Sequence, residues 1–333
     1  MAWTQCVSPQ WETPEKWLLY GGAGQIPAIL ADQIKKESMG KSCIHTNAGV
    51  KKIVQLEGGG VSIDVKGIKN PVQARAVIVA IPPSLRKCIT FESRIPDIGM
   101  PPDYLKFSEE SPMGSMSKLH VVYEKAFWRD QCLSGSTLGN LETCQFFVDC
   151  SPPSGEPGIL TSFIAADRNT AIADAFCLAS FHNDEKARDE AMKKCVWEKV
   201  KDDLVSYFGF MGSEFTNRLE HPVEFVYYNW NLMPWTGGAF TTHLGPNVWT
   251  GSAKTGWREP FHDIFWAGTE TADRWPGFFD GAISAGNAAA SRVSSMLYWT
   301  EALKPRPKPC LKAVSPSTYV RQWDDAGTGG DPD

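Results

Sequence analysis

The stretch Ile264–Arg292, IFWAGTETADRWPGFFDGAISAGNAAASR, constrains this chain more than any other. An apolar run at Ile264–Ala267 reads as a buried strand. Ala267, Gly268 and Thr269 follow, a turn whose small side chains leave the backbone amides open to close approach. A helix then runs over Gly277–Met296, with small residues recurring every four positions: Gly277, Gly281, Ala285 and Ala289 in one row, Ala282 and Gly286 in the next. A helix lined this way can lie tight against a sheet or a ligand, and its free first-turn amides and positive dipole end suit an electron-rich oxygen. On spacing alone, a closely packed core helix explains the stripe as well.

Elsewhere the chain alternates strands and helices without an even rhythm. Trp17–Tyr20 runs into Gly21-Gly22-Ala23-Gly24, and a helix is expected over Gln25–Lys36 with Ile26, Ile29, Leu30 and Ile34 on one face. Alternation marks strands at Val61–Val65 and Ala74–Ala80, the second stopped by Ile81-Pro82-Pro83. Further strands are expected at Leu119–Tyr123, Ile159–Ala165 and Glu224–Tyr228, with a loop-rich stretch over Ser134–Gly158. The clearest helix is Asp184–Phe208: Asn183 and Asp184 can cap it, Ala187, Ala191, Cys195, Val200, Leu204 and Phe208 line one side, and Gly209 ends it. The order predicts a mixed α/β (α+β) fold whose domains interleave in sequence.

Composition excludes several function classes. With a net charge of −5 and no basic run, the chain lacks the electrostatic footprint of a nucleic-acid binder. No stretch reaches the roughly 20 apolar residues of a membrane helix. The N-terminal MAWTQCVSPQWETPEKW has neither the basic flank nor the apolar core of a secretory signal. Nine cysteines without a CxxC pair read as reduced packing residues, and six histidines show no ligand spacing, so the expectation is a cytoplasmic protein with no metal site. The residues 301–333, rich in Pro, Gly and Asp, read as a disordered tail.

Several segments together resemble the flavin-dependent amine oxidases, the monoamine oxidase family. AGTET followed by WxGFxDGAxxAG is similar to the family's C-terminal flavin-contacting motif. Tyr228-Asn229-Trp230, with Trp235-Thr236-Gly237-Gly238-Ala239-Phe240-Thr241-Thr242 after it, resembles the segment packed on the flavin face. Gly21-Gly22-Ala23-Gly24-Gln25, Gly49-Val50, Ala80-Ile81-Pro82-Pro83, Lys118 and Phe127-Trp128 match in the same order, so the resemblance runs from Tyr20 to Ser295.

The resemblance implies roles. Gly268, Thr269, Glu270 and the amide of Phe279 would meet the flavin, Trp230 would lie beside it, and the backbone of Val50 would meet the adenine. Lys118 would reach the reactive flavin nitrogen through water, and a cation there stabilises negative charge as electrons pass to dioxygen. Phe240 and Phe278 take the positions of an aromatic cage that holds a neutral amine before the flavin. Their lack of hydroxyls favours an apolar amine. Ala239 stands where the animal enzymes carry the cysteine bonded to the cofactor, so FAD would be held without a covalent bond.

The domains implied are a partial FAD-binding region at 1–85, a substrate domain at 86–245 and a C-terminal FAD-contacting strand, turn and helix at 246–300. The GxGxxG turn that holds the pyrophosphate in such folds is not found here. Two expectations follow: an oxidase turning an amine into an imine and releasing hydrogen peroxide, or a non-catalytic or split-enzyme relative binding a small aromatic ligand or a partner chain. Weak FAD binding by this chain alone, and a partner chain or homo-oligomer, are expected on the same ground.

Overall fold

The computed structural model describes residues 17–19, 21–37, 44–179, 185–300 and 320–322. In chain order the elements are β1 (Trp17–Leu19), α1 (Gln25–Glu37), β2 (Val50–Gln55), β3 (Val61–Val65), β4 (Val72–Ala74), β5 (Val77–Val79), α2 (Pro83–Arg86) and β6 (Thr90–Ser93). They continue with α3 (Pro102–Glu109), β7 (Met116–Tyr123), β8 (Thr137–Leu138), β9 (Phe146–Asp149), β10 (Gly158–Ala165), α4 (Ala166–Ala179), α5 (Glu185–Phe208) and α6 (Ser213–Glu220). The last are β11 (Glu224–Asn229), α7 (Ala253–Gly256), β12 (Ile264–Trp266), α8 (Phe279–Thr300) and β13 (Val320–Gln322). Contacts divide the chain into one unit of residues 1–48 with 303–333 and another of residues 49–302.

In the smaller unit β1 pairs antiparallel with β13. Val320–Gln322 is thus strand, which corrects the expectation of a disordered tail for these three residues; the rest of 301–333 lies outside the described residues. Helix α1 forms where its periodicity predicts, yet none of its side chains is buried.

The larger unit holds the core. Its main sheet is antiparallel in the order β11-β7-β10-β9-β8. Strand β7 shows why: Ser117, Leu119, Val121 and Tyr123 are buried while Met116, Lys118, His120 and Val122 alternate with them on the other face. The buried face packs on α5 through Met192, Val196, Val200, Leu204 and Phe208, a stripe with a period of four. This corrects the expected stripe in the helix's first half, where Ala187 and Cys195 face solvent and Ala191 is half-buried. Residues 180–184, which include the expected caps, lie outside the described residues.

A four-stranded sheet, β4-β3-β2-β6, and a parallel pair, β5 with β12, complete the unit. The single strand expected at Ala74–Ala80 is two: Arg75 and Ala76 interrupt it, β4 pairing with β3 and β5 with β12. Ser134–Gly158 is loop-rich as expected, with the short strands β8 and β9 set within it. A second core gathers Ile53, Val61, Val79, Tyr104, Phe261, Ile264 and Trp266. β12, expected over Ile264–Ala267, is thereby buried at all three of its residues just before the AGTET turn.

Candidate active site

Three segments of the larger unit meet around the AGTET turn: the turn itself, the loop bearing Phe240 and the loop bearing Phe278. Gly268 takes φ +108°, a conformation open to glycine. Thr269–Thr271 forms one 3-10 turn. Thr269 ties this turn to the Phe278 loop: its Oγ1 accepts from the Gly277 amide at 2.6 Å and donates to the Phe278 carbonyl at 3.3 Å. Glu270 ties it to the Phe240 loop, its carboxylate accepting from Thr241 Oγ1 at 3.1 Å, while its carbonyl accepts from Trp257 Nε1 at 2.5 Å. Gly277 lies before the last helix, which begins at Phe279 rather than at Gly277 as its spacing suggested. The amides of Phe279, Asp280 and Gly281 are therefore first-turn donors without intrahelical acceptors, the Ala282 amide being the first to bond back, to the Phe278 carbonyl.

The Phe240 loop is braced from the other side by Gly114. The Ala239 amide donates to the Gly114 carbonyl at 2.9 Å and the Gly114 amide to the Thr241 carbonyl at 3.1 Å. Gly238, at φ +146°, packs onto the Gly114 carbonyl, and the Ala239–Phe240 peptide is cis. A Cβ on Gly114 would overlap the Ala239 carbonyl oxygen and stand 2.7 Å from His243 Nε2. Two asparagines extend the brace. Asn231 Oδ1 accepts from the Met116 amide at 2.8 Å and from Asn169 Nδ2 at 2.9 Å, and Asn169, itself buried, accepts from Ser117 Oγ at 2.5 Å.

Lys118 is the third residue of β7, inside the strand rather than at its start. Its ammonium sits 5.4 Å from the centre of the Phe163 ring, and that ring meets Phe240 edge-on at 5.3 Å. Lys118 and Phe240 therefore share one aromatic neighbour. Phe278 packs instead on Trp275, at 5.9 Å, and no ring contact joins it to Phe240. Both cage candidates are well exposed, Phe240 at 56% and Phe278 at 42%. Trp230 is half-buried and meets Tyr228 at 4.7 Å. Val50 opens β2, and a Cβ on its neighbour Gly49 would lie 3.6 Å from Trp235.

A buried cation completes the picture. Arg86, 2% exposed, ends α2 with its guanidinium 4.4 Å from the Trp266 ring and Nη1 donating to the Gly256 carbonyl at 3.2 Å. Its Nε and Nη2 have no partner among the described residues. Burial lowers its pKa to about 10, against the pull of the Glu270 carboxylate, and it stays charged at neutral pH. Arg86 thus puts a positive charge within electrostatic reach of the Glu270 carboxylate. Sequence reading did not single it out; the one signal was a cation just after the strand-stopping Pro82-Pro83. Phe163, Thr241, Asn169 and Asn231 were missed as well, since only the register and the loop packing bring them to the site.

Among the described residues no three His, Cys, Asp or Glu side chains gather as a metal site, and no helix is long and apolar enough to cross a membrane.

The family profile described as flavin containing amine oxidoreductase matches residues 10–294. The chain is 32% identical over 296 residues to the L-amino acid dehydrogenase of Synechocystis sp. (strain ATCC 27184 / PCC 6803 / Kazusa), which covers 89% of this chain and 55% of that protein. It is 27% identical to the flavin-containing amine oxidase B of Canis lupus familiaris, over 82% of this chain and 46% of that one. Among solved structures it is similar to cyclohexylamine oxidase from Brevibacterium oxydans IH-35A, with a TM-score of 0.64, 24% identity and coverage of 83% of this chain and 53% of that one. The chain spans about half the length of the relatives it matches.

Proposed function

The chain belongs to the family of flavin containing amine oxidoreductases, and from that premise we propose that its site serves the flavin-dependent oxidation of an amine. The observation that carries the reading is the convergence of Lys118, Phe163 and Phe240 on one sheet face, with the Phe240 loop lashed to the AGTET turn.

The residues present fit a flavin. Gly268 and Gly277, both at positive φ, leave two positions of this stretch without a Cβ. A Cβ at Gly268 would come no closer than 3.5 Å to the Glu270 carboxylate and 3.9 Å to the Ile81 carbonyl, so the turn has room on that side. In this reading Gly268, Thr269, Glu270 and the Phe279 amide hold the cofactor, Trp230 lies beside it and Val50 meets its adenine. Ala239 offers no thiol, so the cofactor is FAD held non-covalently. The segments 1–85, 86–245 and 246–300 then divide as partial FAD-binding region, substrate region and C-terminal FAD-contacting region.

When bound, FAD supplies the two-electron oxidant that turns the amine into an imine and passes the electrons to dioxygen as hydrogen peroxide. The chain's own residues do the rest. Phe240 and Phe278 present ring faces that attract the electron-poor hydrogens of a neutral amine and orient its reacting carbon. Lys118, its charge held against Phe163, stabilises negative charge that develops beside it.

The test is the visible spectrum of the purified chain, before and after adding FAD and removing the excess, followed by peroxide release with a panel of amines. Retained flavin bands with amine-dependent peroxide support the oxidase. A folded chain that retains no flavin refutes a stand-alone oxidase and leaves the split-enzyme or non-catalytic reading.

A further inference from the structure

The site face of the main sheet carries a polar group that flavin and cage do not use. The register sets out its rows. Phe163 and Tyr228 flank Lys118, Thr161 and Val226 flank His120, and Ile159 and Glu224 flank Val122. Val148 extends the His120 row beyond Thr161. The row next to Lys118 is therefore aliphatic at both ends, with Val148 and Val226 each 37% exposed, and has one imidazole in its middle.

That imidazole is held in place. His120 Nδ1 lies 2.7 Å from Thr161 Oγ1, and Thr161 is buried. The other ring nitrogen, Nε2, has no partner among the described residues. Burial, then the charge of Lys118, holds the ring below the usual histidine range, so it is neutral at pH 7. A neutral ring with one nitrogen fixed and the other open is a hydrogen-bonding site in a row with aliphatic ends.

The surroundings select what it takes. A second ammonium would meet the like charge of Lys118. A carboxylate would be drawn to the Lys118 ammonium one row away rather than to a ring that carries no charge. A hydroxyl both donates and accepts, so it suits either tautomer. We propose that His120 is a specificity-determining residue of this site, whose Nε2 takes a hydroxyl on the substrate one two-residue strand repeat beyond the Lys118 row. That repeat is about 6.7 Å. The inference rests on the amine oxidase reading for the placement of the amine, and it names the substrate class as hydroxylated amines.

The experiment uses the full chain with nitrogen-labelled histidine and three probes: aminopentanol, pentylamine and aminopentanoate. The His120 ring signals are assigned by their loss in His120→Leu. Aminopentanol is expected to move the His120 Nε2 resonance, pentylamine to leave it unmoved. In turnover, the wild-type preference for aminopentanol over pentylamine in kcat/KM is expected to fall about tenfold in His120→Leu. A ring silent to all three probes overturns the inference. So does a ring that answers aminopentanoate in place of aminopentanol, or a preference that survives His120→Leu. If the ring answers aminopentanol but neither amine yields peroxide, the oxidase reading fails and the hydroxyl site stands.

Discussion

Gly281 and Gly286 sit five residues apart on α8, and alanine at each should act in opposite directions. At Gly281 a Cβ would overlap the Trp275 carbonyl oxygen, stand 2.8 Å from that carbonyl's carbon and 3.2 Å from the Arg274 oxygen. These are backbone atoms and cannot swing aside. Overpacking of this kind costs about 1–3 kcal/mol, partly offset by up to about 1 kcal/mol of helix propensity. The net is a destabilisation of about 1–2 kcal/mol. At Gly286 nothing lies within 4 Å of the added Cβ, so the substitution only restricts the unfolded chain. That stabilises by about 0.4–1 kcal/mol. The two variants should differ by about 2 kcal/mol, or about 0.7–1 M in urea midpoint for a slope of 2–3 kcal/mol/M. Urea unfolding of the full chain, followed by tryptophan emission, measures this directly. If Gly286→Ala lowers the midpoint as far as Gly281→Ala, that side of the helix is covered in solution and the reasoning fails.

Three further outcomes follow from the geometry. Gly114→Ala should push the Phe240 loop away from β7 by a sizeable fraction of an ångström and lower amine kcat/KM roughly 10- to 100-fold, read by peroxide release against an unchanged Gly99→Ala control, which has open space. The Cys144 thiol, buried and pushed up to about 12, should resist alkylation at pH 8 until the chain unfolds, while exposed Cys88, Cys132 and Cys195 react, as peptide mapping by mass spectrometry would record. Burial raises the Asp203 carboxyl although it accepts from the Thr143 and Cys144 amides. A raised folded-state pKa favours the folded chain at low pH, so Asp203's contribution should fall as pH rises from about 3.9 through the folded value, and unfolding of Asp203→Asn should lack that fall.

The segments that carry the family resemblance were legible because each is local in sequence. Glycines at 268 and 277, Phe240 and Phe278 sit at turns where spacing alone fixes who follows whom. Strands with clear alternation, such as Val61–Val65, were legible for the same reason. What stayed hidden depends on pairing between distant segments. Phe163 matters because it lies opposite Lys118 in the ladder, and Asn169 because the helix after β10 brings it to Asn231. The α5 stripe was misjudged by one position in its first half: Ala191 and Cys195 follow the period as well as Met192 and Val196 do, and only the sheet beneath decides between them. Thr269 and Glu270 were expected to face a cofactor. Their side chains also bond to the two loops beside them, which no reading of AGTET alone could give.

That pair of bonds has a consequence for how the site can change. The loops bearing Phe240 and Phe278 hang from adjacent residues of a single short turn, so the turn works as a caliper whose jaws are the loops and whose hinge is backbone. The bonds that set the jaws are made by Thr269 and Glu270 and not by the rings. Exchanging either phenylalanine for another aromatic residue alters the lining and keeps those bonds, whereas trimming Thr269 loosens the Phe278 jaw and trimming Glu270 leaves the Phe240 jaw held by Gly114 alone.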